Sequence, residues 1–305
     1  MSLFMKLAAR GQRKDFQKLM EERENMPISS NVICRHNIPY MEDSVPEHTF
    51  DLYLPKEGKG LYPLVFNLHG GGLMTGSKEF NKCFCADLAA KGNAVCSIEY
   101  SKMPEKSLET LLREVLTAEL YILAHAEEFR ADIRKVKMTG DSGGGFLAFY
   151  STAILRNPAL CRELKFEVGE EILSGIQPEN APQVMALISP LIYTEGQDIV
   201  RRFYHTMLYH GGKKSSPAFA QPGQPEVLSA LPPLLLVTSE KDNLREDSEA
   251  FSRTMEAHGR QCRLLTYSDD RLEHDFALFH PEFAESEEVV ERIAEWLADQ
   301  SVRNR

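Results

Sequence analysis

The sequence predicts an α/β fold in which helices cover both faces of a mainly parallel sheet. Short apolar strand candidates alternate with amphipathic helix candidates along most of the 305 residues. One strand candidate, PLVFNLHGGG at 63–72, is an apolar run that ends at three glycines, as a buried central strand entering a loop would. Hydrophobic residues make up 43% of the chain and charged residues 26%, which is ordinary for a globular protein. A chain of this length can bury a stable core without disulfides or metal ions.

The predicted elements follow this alternation in order. Apolar spacing indicates one or two amphipathic helices within residues 1–25. Strands are predicted at 32–38, 49–54, 64–68, 94–98, 136–139, 184–188, 234–238 and 263–267. Further helices are predicted at 107–129, 146–155, 245–258 and 284–298.

One region, residues 190–230, interrupts the alternation with prolines and glycines. Between them Ile199, Phe203 and Met207 follow helical spacing, which indicates an inserted helix with loops. We expect an N-terminal helical cap segment at 1–45 and a core at 46–305, with 190–230 contributing a cap insertion. Such a cap would cover the carboxyl ends of the strands, where open α/β sheets bind ligands.

The net charge and the cysteine content indicate which binding partners and which cellular compartment to expect. The net charge of −10 argues against nucleic acid and against an anionic membrane surface. No uncharged apolar run approaches the ~20 residues of a membrane span, and the first residues lack a signal-peptide core. Of six cysteines only Cys83 and Cys85 lie close together, a poor zinc signature. We predict a cytoplasmic protein that needs no metal or cofactor and can form a homodimer.

A serine between glycines marks the candidate nucleophile. Residues 140–144, Gly-Asp-Ser-Gly-Gly, match G-x-S-x-G and lie between a strand candidate and a helix candidate. Such a turn holds its serine in a strained conformation that only small flanking residues allow. It exposes the hydroxyl of Ser142 and places the amide of Gly143 at a helix N-terminus, where negative charge is stabilised. A phosphate loop would need G-x-x-x-x-G-K-[ST], so we predict that Ser142 is a nucleophile.

The sequence His-Gly-Gly-Gly at 69–72 follows the apolar strand and precedes the serine. Esterases need a second backbone donor for the oxyanion of the tetrahedral intermediate, and an HGGG-type loop supplies it. His69 precedes the serine, so we expect it to hold the loop by hydrogen bonds rather than to act as the base. The predicted oxyanion hole comprises Gly70, Gly71, Gly72 and Gly143, with the amides of Gly71, Gly72 and Gly143 as donors.

The acid should follow the nucleophile and leave the end of a strand. The strand candidate 234–238 leads to Asp242, with Glu240 beside it and Asp247 on the next helix. We favour Asp242, although a loop aspartate in this position could also simply cap the helix at 245–258.

The base should come last in the chain, and three histidines follow Asp242. His258 lies at a helix end before a glycine, and His280 precedes a proline. His274 lies in the loop after the last strand, from which it can reach back to the serine. We therefore predict His274 as the base, with Asp242 fixing its tautomer.

Taken together, these residues resemble the hormone-sensitive lipase family of α/β hydrolases, also called HGGG esterases. The resemblance covers residues 50–300 and rests on HGGG at 69–72, GDSGGG at 140–145, the Asp242 loop and His274. It implies the α/β-hydrolase fold with a small helical cap and a carboxylesterase activity on short to medium acyl esters. Such a protein acts on a small-molecule ester.

Two positions depart from the family pattern. Gly143 stands where many members have alanine, which we expect to be harmless. Asp275 follows His274 where glycine is common, and it adds a carboxylate near the base.

The predicted function is hydrolysis of small esters, acetyl esters among them, through an acyl-enzyme intermediate. The same triad could serve lactones, amides or peptides, or the dehydratase chemistry of one plant branch, because a fold does not fix a substrate. A ligand-binding role is the remaining alternative. The gibberellin receptor resembles this family but lacks the catalytic histidine, whereas His274 is present here.

Overall fold

The computed structural model describes residues 3–23, 25–58, 60–197, 199–209 and 215–303. Residues 210–214 of the predicted cap insertion and residues 1–2 of the predicted N-terminal helix lie outside this part of the chain. Within it, helices and strands alternate as the sequence predicts, and every predicted strand is present.

A sheet of eight described strands runs through the centre of the molecule. The strands are β1 (Val32–Pro39), β2 (Thr49–Pro55), β3 (Tyr62–Leu68), β4 (Ala94–Ile98), β5 (Ala131–Asp141), β6 (Val184–Ile188), β7 (Leu234–Ser239) and β8 (Cys262–Tyr267). Their order across the sheet is β1-β2-β4-β3-β5-β6-β7-β8. β2 runs antiparallel to β1 and β4, and all other neighbours pair in parallel. The predicted class, a mostly parallel α/β sheet, is confirmed.

Helices lie on both faces of the sheet and at its edges. They are α1 (Leu3–Arg23), α2 (Lys82–Ala90), α3 (Leu108–Ala124), α4 (Ser142–Arg156), α5 (Leu160–Glu163), α6 (Glu170–Gly175), α7 (Ile199–Tyr209), α8 (Pro225–Ala230), α9 (Arg245–Ala257), α10 (Phe276–Phe279) and α11 (Ala284–Arg303). Short 3₁₀ turns occur at Lys78–Asn81, Pro178–Asn180 and Pro217–Ala220. None of the helices in the described ranges is both long enough and apolar enough to cross a bilayer.

The core has two halves because successive side chains of a strand point to opposite faces of the sheet. In β3, Leu64, Phe66 and Leu68 belong to the half that α3 and α4 cover, and Val65 belongs to the half that α2 and α11 cover. All four side chains are fully buried. Full burial of an apolar side chain of this size contributes about 1.5–3 kcal/mol, so the sheet is stabilised from both sides.

The predicted cap boundaries need a correction. β1 pairs with β2, so it belongs to the sheet, and the helical part of the N-terminal segment ends with α1 at Arg23. In the predicted insertion, Phe219 and Leu228 are buried in the same core half as α4. At the strand ends, Leu191 donates its amide to the carbonyl oxygen of Ser142, and α7 brings Tyr204 to the cavity beside Ser142.

The carboxyl ends of parallel strands meet at one edge of a sheet, and four predicted site residues follow them. His69 comes directly after β3, and Ser142 directly after β5. Asp242 lies in the loop after β7, and His274 in the loop after β8. The topology therefore brings together residues that are far apart in the sequence.

Candidate active site

The predicted nucleophile stands at a tight turn between a strand and a helix. β5 ends at Asp141 and α4 begins at Ser142. Ser142 has a φ of 46°, in the left-handed region that a residue with a β-carbon adopts only under strain. A β-carbon at Gly144 would overlap the carbonyl oxygens of Leu68 and His69. Glycine at that position lets α4 begin directly against the end of β3.

The structure brings Ser142, His274 and Asp242 together. Oγ of Ser142 lies 3.0 Å from Nε2 of His274. Nδ1 of the same imidazole lies 2.7 Å from Oδ1 of Asp242. Both distances are within hydrogen-bond range, and this is the relation that a serine nucleophile needs with its base and its orienting acid.

The competing acids and bases point elsewhere. His258 and His280 are exposed, and each is hydrogen-bonded to a group near it in the chain. Asp247 forms an ion pair with Arg201, and Glu240 is exposed. None of the four contacts the triad.

Asp242 is fixed by its own loop and strand. Thr238, at the end of β7, donates its hydroxyl to Oδ2 at 2.7 Å, and the amide of Leu244 donates to Oδ1 at 2.9 Å. Burial alone would raise the pKa of Asp242, but its hydrogen bonds, first of all with His274, hold that pKa below its ordinary value. The acid therefore stays ionised and orients the imidazole. Sequence reasoning missed Thr238, although its position at the strand end was visible.

Asp275 places a second carboxyl group against the base. Its Oδ2 lies 3.1 Å from Nε2 of His274, and the residue is 3% exposed. Its φ of 55° is a left-handed value that aspartate tolerates better than most residues, and its amide donates to Oγ of Ser189 at 3.2 Å. Burial opposes charging of the imidazole, but the charge of Asp275 and the hydrogen bonds to Asp242 and Asp275 raise the pKa of His274 well above its ordinary value.

A third carboxyl group belongs to Asp141, the residue before the nucleophile. Burial, and then the charge of Asp275, raise the pKa of Asp141 well above its ordinary value. Asn81 donates its side-chain amide to Oδ1 at 2.7 Å, and the backbone amide of Gly70 donates to the same carboxyl group. Because that amide already has a partner, Gly70 stabilises the turn between β5 and α4 and is not free to donate to an oxyanion. The remaining donors of the predicted hole are the amides of Gly71, Gly72 and Gly143.

The loop of residues 69–72, which we call the glycine loop, lies directly against the start of α4. Gly71 and Gly72 have φ values of 108° and 62°, which glycine adopts freely. A β-carbon at Gly143 would lie 3.0 Å from the amide nitrogen of Gly72 and 2.8 Å from that of Leu73. Alanine at 143 would force the loop to move. We expected glycine at this position to be a harmless departure from the family pattern, and the packing in fact requires it.

His69 holds the loop by hydrogen bonds, as predicted. Its Nδ1 lies 2.7 Å from the carbonyl oxygen of Gly70, and its Nε2 lies 2.9 Å from Oε1 of Glu99 and 3.2 Å from Nζ of Lys102. Burial, and then the charge of Lys102, lower the pKa of His69. Both ring nitrogens therefore have polar partners, which fix the orientation of the imidazole beside the loop. It also stacks on Tyr100 with ring centroids 4.4 Å apart.

A cavity of about 400 Å³ opens in front of the triad. Phe16 and Leu19 of α1, Tyr204 of α7, and the rings of Phe80 and Phe279 form much of its wall. The rest of the lining is Gln12, Asp15, His69, Gly70, Gly71, Gly72, Thr75, Gly76, Ser77, Asp141, Ser142, His274 and Asp275. The described lining contains no lysine or arginine, so the cavity combines aromatic surface with carboxyl groups.

One cluster of metal-binding residue types occurs within the described ranges. The donor atoms of Cys34, His36 and Asp51 lie within 4.8 Å of one another. However, Nζ of Lys78 lies 3.2 Å from Oδ1 of Asp51, and burial raises the pKa of Cys34 to about 12. An ammonium and a protonated thiol occupy the cluster where a cation would need anionic ligands, so these residues do not fit a metal ion.

The fold and the site define an α/β hydrolase, in which a serine on a strand-to-helix elbow meets an acid and a histidine that follow it in the chain. A family profile described as alpha/beta hydrolase fold matches residues 65–278, well over half of the chain. The chain belongs to this family, which contains the hormone-sensitive lipase-like esterases, and the resemblance predicted from the motifs is confirmed.

Individual relatives are distant but cover nearly the whole chain. An acetyl esterase of Salmonella schwarzengrund (strain CVM19633) is 24% identical over 282 residues, covering 86% of this chain and 84% of its own. The crystal structure of esterase B from Lactobacillus rhamnosis inhibited by a tributyrin phosphonate has a TM-score of 0.86 at 21% identity, covering 100% of this chain and 98% of that one. A bacterial heroin esterase has a TM-score of 0.73 at 23% identity, covering 94% and 90%.

Proposed function

We propose that this protein is a serine carboxylesterase that hydrolyses small esters, acetyl esters among them, through an acyl-enzyme on Ser142. The observation that carries the proposal is the pair of contacts at His274, 3.0 Å to the hydroxyl of Ser142 and 2.7 Å to the carboxylate of Asp242. The names of the relatives, acetyl esterase and esterase, point to the same reaction.

In the first half of the reaction, Oγ of Ser142 attacks the ester carbonyl while Nε2 of His274 takes the hydroxyl proton. Asp242 keeps the other ring proton on Nδ1 and stabilises the imidazolium that forms. The negative charge that develops on the carbonyl oxygen is stabilised by the amides of Gly71, Gly72 and Gly143. His274 then returns its proton to the leaving alcohol, and the acyl group stays on the serine.

In the second half, a water molecule replaces the alcohol. His274 takes a proton from the water as its oxygen attacks the acyl carbon, and the same amides stabilise the second oxyanion. The bond to Oγ breaks, the proton passes from His274 to Ser142, and the carboxylic acid leaves. No cofactor is needed, because every proton moves between the ester, the water and the triad.

The cavity walls support small substrates. Phe16 and Leu19 of α1 and Tyr204 of α7 lie across the space in front of Ser142, and the cavity holds about 400 Å³. We propose that α1 and α7 together form the cap over the site. A short acyl chain and a compact alcohol fit this volume, and the aromatic walls provide apolar contact.

The experiment compares nitrophenyl acetate and butyrate hydrolysis by the wild type and by Ser142→Ala. We expect kcat/KM to fall about 10⁴-fold or more, because the covalent route is lost. Ser229→Ala, at an exposed serine on α8, is the matched control and should retain full activity. Labelling by an organophosphonate should reach the wild type and Ser229→Ala but not Ser142→Ala. Equal hydrolysis by the wild type and Ser142→Ala would refute the proposed function.

A further inference from the structure

Tyr204 on α7 projects its hydroxyl into the active site. The residue is 9% exposed and contributes to the wall of the cavity in front of Ser142. A β-carbon added to Gly72 would lie 2.7 Å from the hydroxyl oxygen of Tyr204, and the next atom met would be Cζ of the same ring, at 3.9 Å. The hydroxyl thus lies beside one of the glycines whose amides are the proposed oxyanion donors.

This hydroxyl has no hydrogen bond to any residue that the structure describes. Tyr204 lines the cavity in front of Ser142, so an atom of a substrate bound there can become the hydrogen-bond partner of its hydroxyl. Burial, and then the charge of Asp275, raise the pKa of Tyr204, so the phenol keeps its proton and can donate.

The position of Tyr204 is set by contacts that α7 makes one turn before it and one turn after it. Arg201, one turn before Tyr204, forms an ion pair with the fully buried Asp247 of α9. Met207 and Leu208, one turn later, are 2% and 1% exposed in the core. The tyrosine is therefore held by a helix anchored on both sides of it, as a group that must meet a reacting atom needs to be.

We propose that Tyr204 is a catalytic residue whose hydroxyl donates a hydrogen bond to the oxyanion, on the side of Gly72. The proposal rests on the esterase function above and adds a side-chain donor from α7 to the three backbone amides. The phenol transfers no proton. When the bond from Oγ to the carbonyl carbon forms, the electron pair moves to the carbonyl oxygen, and the O–H of Tyr204 turns toward it.

The test is Tyr204→Phe, which removes the oxygen and keeps the ring. Loss of one oxyanion donor lowers kcat by about 10²–10³ where few donors are present, so with three amides remaining we expect a loss of about 10- to 100-fold. Because an oxyanion forms in both halves of the reaction, single-turnover acylation and deacylation of nitrophenyl acetate should both slow down. The inhibition constant of a trifluoromethyl ketone, which forms a tetrahedral adduct with a serine, should rise by the same factor.

The matched control is Tyr121→Phe on α3, because Tyr121 does not line the cavity. This variant should change neither the acylation rate nor the deacylation rate. A rate of Tyr204→Phe within twofold of the wild type overturns the proposal. So does a loss in acylation alone, which would mean a contact to the leaving alcohol. If Tyr204→Phe is less stable by thermal unfolding, the ratio of inhibitor affinity to KM in the folded fraction decides, since misfolding lowers the active concentration without changing that ratio.

The two proposals fail separately. If Ser142→Ala retains wild-type activity, the esterase mechanism is wrong whatever Tyr204 does. If Ser142→Ala is inactive and phosphonate labels the wild type, but Tyr204→Phe matches the wild type in both rates, only the role of Tyr204 is wrong.

Discussion

His69 and His274 each face a buried carboxylate, and their pKa values shift in opposite directions. His69 lies 2.9 Å from Glu99, and His274 lies 2.7 Å from Asp242. The pKa of His69 is lowered and that of His274 is raised. A carboxylate partner alone therefore does not determine the charge of a buried imidazole.

The difference lies in the second neighbour and in the degree of burial. His69 is fully buried and has the ammonium of Lys102 at 3.2 Å from Nε2, which disfavours a second positive charge. His274 is only partly buried and has the carboxyl group of Asp275 at 3.1 Å from the corresponding nitrogen, which favours one. The first environment suits a fixed structural ring, and the second suits a ring that must gain and lose a proton.

The same substitution at both histidines should separate these roles, with the largest effect at His274. We expect His274→Gln to lower kcat/KM about 10⁴-fold or more with little change in thermal stability, because the general base is lost from a partly exposed position. We expect His69→Gln to lower the unfolding temperature by several degrees, because it breaks a buried hydrogen-bond network, and to reduce activity by a smaller factor through the glycine loop. Similar activity losses in both variants would contradict the comparison.

Asp275→Asn should have an intermediate effect, on pH dependence. A neutral His274 that keeps its proton on Nδ1 has a bare Nε2, so the 3.1 Å contact with Asp275 requires a proton between the two groups. His274 must be neutral at Nε2 to accept the proton of Ser142, and its raised pKa therefore places the acidic limb of kcat/KM at high pH. Removing the carboxylate lowers that pKa, and we expect the limb to move about one unit toward lower pH.

The pH profile is measured on nitrophenyl acetate with the wild type, Asp275→Asn and a control in the same loop. Asp270→Asn suits this purpose, because the side chain of Asp270 is 90% exposed and pairs with Lys241. Asparagine also tolerates the left-handed backbone at 275. A limb that stays in place, or moves to higher pH, would show that Asp275 does not share the proton of His274.

The pattern of motifs was sufficient to predict the sheet and to select the three candidate triad residues that the structure brings together, because both depend on chain order. Asp242 and His274 could be chosen since the acid follows a strand and the base follows the last strand. The helix α2 was missed because six of its nine residues are buried, which leaves no polar face to reveal a helical period. The start of β5 was missed because Ala131 and Asp132 pair with β3 across a register shift and lack an apolar pattern.

The partners of the site residues could not be predicted, because they come from distant segments. Glu99 and Lys102 reach His69 across about thirty positions of sequence, and no local pattern marks that contact. An aromatic residue at helical spacing usually packs in the core, so the sequence does not distinguish Tyr204 as a site residue. Only the placement of α7 over the sheet edge brings its hydroxyl to Gly72.

Glu119 of α3 carries a buried carboxyl group with no imidazole beside it among the described residues. Its substitution should affect the pH dependence of stability and leave catalysis unchanged, which makes it the smallest of the expected effects. Its Oε1 accepts from the hydroxyl of Ser151 at 2.9 Å, and burial raises its pKa to about 8. Since the folded state holds this proton more tightly than the unfolded chain, wild-type stability should fall as the pH rises from about 4.3 through about 8. Glu119→Gln cannot lose that proton, so we expect its unfolding temperature to rise by several degrees relative to that of the wild type between pH 5 and pH 9.

Thermal unfolding at the two pH values measures this difference, with the exposed Glu127→Gln as a control that should follow the wild type. Parallel behaviour of Glu119→Gln and the wild type would mean that Glu119 is ionised in the folded protein. It would then resemble Glu99, which is also buried but whose pKa is lowered by the charges of Lys102 and His69.

The contact between the elbow and the glycine loop limits how this catalyst can be redesigned. Gly143 and Gly144 leave no room for a methyl group against residues 68–73, so mutagenesis libraries should leave both segments untouched. Phe16 and Leu19, which α1 contributes to the cavity wall, are side chains that are only partly buried. Diversity introduced there can reshape substrate choice while the reacting centre is inherited intact.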